Sequence, residues 1–372
     1  MTFARNSGSL GAGSDRTTSK RMRAVSHDRR RKLVAGLVLL GLVTAMLAAC
    51  RSVRTGTSPQ AVAPPHLVWP EPPDRARVEL VSVFARATDL GIERSLWRRL
   101  ASLITGGAEV QLVRPTGVAA SGAQIAVADP GVGLVHVYDL SRRRSLVLQT
   151  CGEIALGEPV AVAFLGARLY VSDASAARIH LFNFDGACEG GWELDQGSRP
   201  AGLAADAPRS RLYVADAGAH QVLGFDPQGQ RVLRFGSRGF AAGEFNYPTW
   251  LAADADGNVY VTDALNFRVQ IFAPDGQPLG TFGDQGDGSG DLARPKGIGV
   301  DRDGHIYLVD ALFDAVQLFD REGHYLMVFG SRGLEPGHFW LPSGLAIDGD
   351  RIYVADSYNQ RVQVFRYLGG EP

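Results

Sequence analysis

The chain has 372 residues, 45% hydrophobic and 21% charged, enough for one large or two ordinary cores, so disorder is excluded as its overall state. Residues 1–49 carry nine Lys or Arg against Asp15 and Asp28, leaving 29 basic and 37 acidic residues from Cys50 onward, a net of −8 that disfavours nucleic acid as a partner. The 45 glycines follow no triplet period, which excludes collagen and points to many turns between short strands.

Arg29-Arg30-Arg31-Lys32 precedes an apolar run from Leu33 to Ala49 that ends at Cys50. A positive segment ahead of an apolar core reads as an export signal, and 17 residues only just reach the length that spans a bilayer. Leu47-Ala48-Ala49-Cys50 resembles the lipobox of bacterial lipoproteins, which implies that residues 1–49 are a signal peptide and that Cys50 is acylated. Residues 1–21 are polar and add nothing to such a signal, which favours Met22 as the true start. Arg30-Arg31 also resembles a twin-arginine signal, so the export route stays open. The implied location is the periplasmic side of a bacterial membrane, with Arg51 after the cysteine favouring the outer one. Residues 50–75 are rich in Pro, Ser and Thr and read as a tether reaching up to ~70 Å at ~3.1 Å per residue; packing of His66 to Trp69 on the domain is the alternative for that stretch.

ARVELVSVF, Ala76 to Phe84, alternates as a strand does. After it, LGIERSLWRRLASLITGG sets Leu96, Trp97, Leu100, Leu103 and Ile104 on one face, predicting an amphipathic helix over 93–105 that stops at Gly106. Trp97, Arg98 and Arg99 would let it dock anionic lipid or a partner; the plainer reading is a cap.

Six similar units follow. Each has a short apolar strand, an Asp, a five-residue turn and a second strand ending in an aromatic residue, as in NVYVTDALNFRVQIF and RIYVADSYNQRVQVF. The acids are Asp129, Asp173, Asp216, Asp263, Asp310 and Asp356, spaced by 44, 43, 47, 47 and 46. Upstream of each, Pro115, Pro159, Pro200, Pro248, Pro295 and Pro342 open another strand, and a Gly turn downstream leads to a fourth. Four strands per unit and a period near 45 predict an all-β, six-bladed propeller occupying 76–372. The last unit lacks its fourth strand, so Ala76 to Phe84 is expected to complete it and close the ring.

PSGLAIDGDRIYVADSYNQRVQVF, from Pro342 to Phe365, resembles the NHL repeat. The resemblance spans Pro115 to Phe365 and is specific in units three to six, whereas units one and two depart from it at Gly131-Val132-Gly133 and Ala174 to Ala177. It implies a propeller used mostly as a platform for protein or RNA. A few relatives are enzymes, among them a zinc-dependent lyase and, more distantly, calcium-dependent lactonases. Another relative resembles the extracytoplasmic sensor of a bacterial Ser/Thr kinase.

The loop GDQGDGSGDLARP, Gly283 to Pro295, has the composition of a calcium or phosphate site. Two sister connectors, GSRGFAAGEFNYP and GSRGLEPGHFWLP, share its length and glycine register but not its acids. It is therefore read as a blade-to-blade crossover, with calcium at Asp284, Asp287 and Asp291 as the alternative. A Walker loop is excluded because no Gly-Lys-Ser/Thr follows.

Antiparallel order puts the connectors and the turn after each Asp on one rim, the top. The repeated Asp is read as structural, accepting turn amides or pairing with Arg178, Arg268 or Arg361. No three imidazoles converge as a zinc site needs, and no nucleophile elbow appears. Departures from the repeat mark the candidate partner site: Trp250, Phe267, Arg268, Lys296, Phe313, Asp314, Tyr358 and Arg361. A plug for the channel is the plainer reading of Trp250. Cys151 and Cys188 are the remaining thiols; export permits a disulfide, but the register puts Cys151 in an upper connector and Cys188 low on the next outer strand, which argues against it. The expectation is a monomeric, lipid-anchored platform for protein or peptide, without cofactor; the alternative is a metal-dependent hydrolase or lyase working at the top of the channel.

Overall fold

The computed structural model describes residues 66–93 and 110–369. The segment 1–65, with Cys50, and the expected helix from 94 onward, with Trp97, Arg98 and Arg99, lie outside the described residues. The helical elements that are described are two 3-10 turns, Ala87–Leu90 and Ala264–Asn266. Among the described residues no helix is long and apolar enough to cross a membrane.

Six antiparallel sheets form the blades of a propeller: 117–148, 159–193, 200–235, 248–282, 295–329, and a sixth that joins 345–367 to Val78–Phe84. Their innermost strands, Gly117–Ser121, Pro159–Leu165, Pro200–Asp206, Pro248–Ala253, Pro295–Val300 and Leu345–Asp348, touch one another in sequence, and the last touches the first. The ring is closed. Strands such as Val259–Asp263 are buried at every residue, because a blade between two others has no solvent face. That is why their sequences are apolar without alternation, while outer strands such as Arg231–Phe235 are largely exposed.

Closure uses the early strand. Val78 pairs with Tyr367 and Phe84 with Val362, so Val78–Phe84 is the missing fourth strand of the sixth blade. Side-chain packing repeats across the seam as well. In each of the other interfaces resolved by aromatic rings, an outer-strand residue packs on the third-strand aromatic of the next blade: Trp192 on Phe225 at 5.4 Å, Phe235 on Phe272 at 4.6 Å, Phe282 on Phe319 and Phe329 on Phe365 at 4.9 Å. Phe84 meets Tyr138 of the first blade at 5.6 Å in the same way. A further strand, Val68–Trp69, pairs outside Val78–Phe84, and Trp69 packs on Phe365 at 5.7 Å. The propeller edge thus takes in part of the segment whose composition reads as tether.

Cys151 and Cys188 form a disulfide with Cα atoms 4.9 Å apart, which corrects the expectation from register. After blade 1 the chain turns into a small hairpin, Thr150–Cys151 with Ile154–Ala155, laid against the outer strands of blade 2. A register shift after Leu181 pairs Phe182 with Cys188 and brings that thiol to the hairpin. The shift recurs at the equivalent place in blades 3, 4 and 5, but among the described residues the hairpin has no counterpart in the other units, so the repeat could not reveal it.

Candidate functional site

The top rim is built on the six aspartates, each buried. Every carboxylate reaches the connector that enters its own blade. Asp129 accepts the amides of Val113 and Arg114, Asp173 those of Gly157 and Glu158, and Asp310 those of Ala293 and Arg294, at 2.7–3.1 Å. Asp216 accepts the Arg199 amide, Asp263 that of Asn246 and Asp356 that of Trp340. In blades 4 and 6 the same carboxylate also takes Arg268 at 2.9 Å or Arg361 at 2.7 Å. Arg178 instead pairs with Glu193. In blades 1, 2, 3 and 5 the residue before the inner-strand proline is thereby fixed at the mouth of the channel. In blades 4 and 6 the acid holds the residue one earlier, and the amides of Tyr247 and Leu341 go to His220 and Asp314.

Burial alone would raise these acids. At Asp129 it is outweighed by His136 and the two amides, and at Asp173 by His180, Ser175 and two amides, so both carboxyls lie below the ordinary range. At Asp356 burial exceeds the help from Trp340, Arg361 and Asn359, and its carboxyl is raised. His136 and His180 stand 3.6 Å from their acids, where Gln270 and Gln363 donate amides in blades 4 and 6. They are structural stand-ins for glutamine.

Most residues singled out from sequence are engaged inside the rim rather than displayed on it. Trp250 is only 8% exposed and lies in the core, its indole reaching across to Gly344 of blade 6. It fills the axis. Arg268 also donates to the carbonyls of Ala241 and Glu244, and Arg361 to those of Leu334, Glu335 and His338, so both guanidinium groups staple connectors. Asp314 is buried, accepts the Leu341 amide at 2.6 Å, and has a raised pKa because burial outweighs that bond. Phe267 and Phe313 are half-buried. Tyr358 is exposed and packs on Trp340 at 5.7 Å. Lys296 faces the channel mouth.

Sequence reading missed the residues that the rim does display. Phe240 is 75% exposed in the connector before blade 4, and Leu334 holds the matching place before blade 6. Tyr247, Leu265, Leu312 and Trp340 are exposed on the same rim. The signal was an apolar residue between two glycines of a loop, where no strand needs it. Exposed Arg238 and Arg332 lie two residues before Phe240 and Leu334.

Inside this rim, blades 1, 2, 5 and 6 line an open cavity of ≈ 240 Å³. Its lining includes Arg114, Glu158 and Arg294 from the positions before the prolines, and Thr116, Lys296 and Ser343 from those after them. Glu158 is engaged by Arg199 at 2.9 Å. Burial, then Arg294 and Arg114, push the Lys296 amine down to about 8.

The glycine loop keeps its crossover geometry: Gly283 and Gly290 have φ of +90° and +87°, like Gly236 and Gly243 in the sister connector at +94° and +80°. Asp291 accepts the Gly288 amide, as Glu244 accepts Phe240 and Ala241. Asp284, Asp287 and Asp291 do not form a convergent donor set among the described residues. The sets that do are Asp301 with Asp303 and His305, and Asp320 with Glu322 and His324, both on the opposite, lower turns. On the top rim, His220 accepts the Tyr247 amide and His338 bonds Ser331.

A closed ring of six four-stranded blades with an apolar upper rim and a cationic axial mouth defines the class: a six-bladed β-propeller. Within that class, the family model of the NHL repeat matches residues 245–272 and 339–365. No curated protein matches the sequence. Among solved structures the chain resembles a protein of unknown function from Bacteroides thetaiotaomicron, with 18% identity, a TM-score of 0.57 and 70% of each chain covered. It also resembles a streptogramin B lyase, with 10% identity and a TM-score of 0.53 over 70% of this chain and 95% of that one. A catalytically inactive virginiamycin B lyase from Staphylococcus aureus, solved with quinupristin, has 11% identity and a TM-score of 0.52 over 68% and 95%. At these identities the likeness is one of fold.

Proposed function

We propose that this propeller is a binding platform for a protein or peptide partner, engaged through the top rim over blades 3 to 6, on a chain anchored to the bacterial envelope through acylated Cys50. One observation carries the reading: among the described residues the four exposed aromatic side chains, Phe240, Tyr247, Trp340 and Tyr358, all fall on that rim. Solvent-facing rings have no role in holding blades together, whereas aromatic side chains beside arginine are what dominates protein-binding energetics. With Arg238 and Arg332 beside the apolar residues, the favoured partner is a segment that mixes apolar and acidic side chains. The lyase fold-neighbours do not carry an activity to this chain, because one propeller scaffold hosts unrelated chemistries.

A random peptide library panned on the purified chain tests the platform. Enriched peptides rich in apolar and acidic residues, bound at least tenfold more weakly by a Trp340→Ala/Tyr358→Ala variant of unchanged melting temperature, are the expected result. No enrichment, or peptides indifferent to the two substitutions, overturns it. Membrane fractionation of Cys50→Ala checks the anchor: the variant should move to the soluble fraction.

A further inference from the structure

The chain contains 35 arginines but only three lysines, Lys20, Lys32 and Lys296. The single lysine of the propeller therefore stands at the mouth of its channel. Arg114, Arg294 and Lys296 line one cavity of ≈ 240 Å³, and none of the three side chains has a carboxylate or hydrogen-bond partner among the described residues. Elsewhere the rim consumes its cations: Arg268, Arg361 and Arg199 each reach an acid. Glu158, the one carboxylate lining the cavity, is held by Arg199. Ser343 is 4% exposed and lines the same space, and its hydroxyl has no hydrogen-bond partner among the described residues. Like charges gathered without a counter-ion oppose folding, so such a cluster persists where a ligand supplies the missing charge.

We infer that the axial cavity binds an oxyanion, a carboxylate or phosphate group, seated between Lys296 and Arg294 on one side and Arg114 on the other, with the Ser343 hydroxyl as a further donor. Arginine forks suit the planar face of such a group and lysine supplies a point charge. The overall charge of −8 from Cys50 onward does not oppose this, because a small ligand in a cleft responds to the local field, whereas a nucleic acid meets the whole surface. Burial, Arg294 and Arg114 depress the Lys296 amine, and a bound anion would raise it. The inference stands on the cavity alone and holds whether or not the rim takes a polypeptide.

Calorimetric titration of the full chain with inorganic phosphate, with succinate, and with a short peptide carrying either a free or an amidated C-terminus tests it. Saturable binding of at least one of these, weakened tenfold or more in Lys296→Gln and in Arg294→Gln but unchanged in Arg302→Gln on the lower side, is expected. Phosphate, succinate, or the free but not the amidated peptide then identifies which carrier is preferred. A second readout needs no variant: acylation of Lys296 at pH 7.5 should outpace that of a free lysine side chain and slow at least threefold when the bound probe is present. Absence of binding by every probe at millimolar concentration, or binding indifferent to both substitutions together with Lys296 acylation indifferent to the probe, overturns the inference.

Discussion

Asp263 is wholly buried and takes four donors: the Asn246 amide at 2.7 Å, Asn266, Arg268 and Gln270. Asp263→Ala leaves a nearly buried guanidinium and three other donors without their acceptor, a loss of roughly 3 kcal/mol or more in urea unfolding. By contrast Asp195→Ala, which removes an exposed partner of Arg231, should cost less than about 1 kcal/mol. Equal losses would show that the buried acid is not a keystone of the rim. Lys296 gives the opposite sign. Its amine titrates near 8 in the fold against 10.5 ordinarily, so below pH 8 the folded state holds a charge that it disfavours. Between 8 and 10.5 the fold has released the proton while the unfolded chain still binds it, and stability from this group rises with pH. Lys296→Met should therefore raise the melting temperature at pH 6–7, with the gain fading towards pH 10.5; a gain independent of pH would refute the assignment. The repeated acids were legible in the sequence because their spacing is periodic. That Arg268 and Arg361 are spent on carbonyls of the preceding connector was not, because those partners lie 23 to 27 residues away and only the fold brings them near.

At the scale of elements, regularity and departure carried different information. Strand identity was readable wherever both faces are covered, since strands such as Ile306–Asp310 are apolar at every position but the last. Trp250 illustrates the limit: its place near the axis followed from register, but whether its indole faced solvent or crossed the channel depended on the missing side chain at Gly344. The hairpin Thr150–Cys151/Ile154–Ala155 is a two-by-two-residue element with no propensity signal of its own, and it lays Cys151 against the outer strands of blade 2, within reach of Cys188. The bridge spans 37 residues and ties this hairpin to blade 2. Chain-entropy reasoning assigns such a crosslink about 2–4 kcal/mol. Cys188→Ser should lower the melting temperature by several degrees, and reductant should lower the wild type by a similar amount while leaving the variant unmoved. Identical melting of both proteins, with and without reductant, would show the bridge to be energetically idle.

For the molecule as a whole, the ring makes each interface depend on every other: six blades close only if the sixth has its outer strand, and that strand comes from the other end of the chain. Hydrogen bonding and the Phe84–Tyr138 contact show that the seam is chemically the same as the other interfaces, so covalent order should matter less than pairing. Tyr367 lies opposite Val78, and Leu368 donates to the Arg77 carbonyl at 2.8 Å, so a short turn can join these ends as an ordinary third-to-fourth strand hairpin. A permutant that begins at residue 110 and ends with Val78–Phe84 after such a turn should unfold in one cooperative transition within a few degrees of the parent. Deleting Val78–Phe84 should abolish that transition, because the open sixth blade exposes Val362, Val364 and Phe365, all buried in the ring. If the deletion melted like the parent, closure would owe nothing to the early strand; if the permutant failed while the deletion also failed, continuity of the chain rather than pairing would be what holds the ring shut.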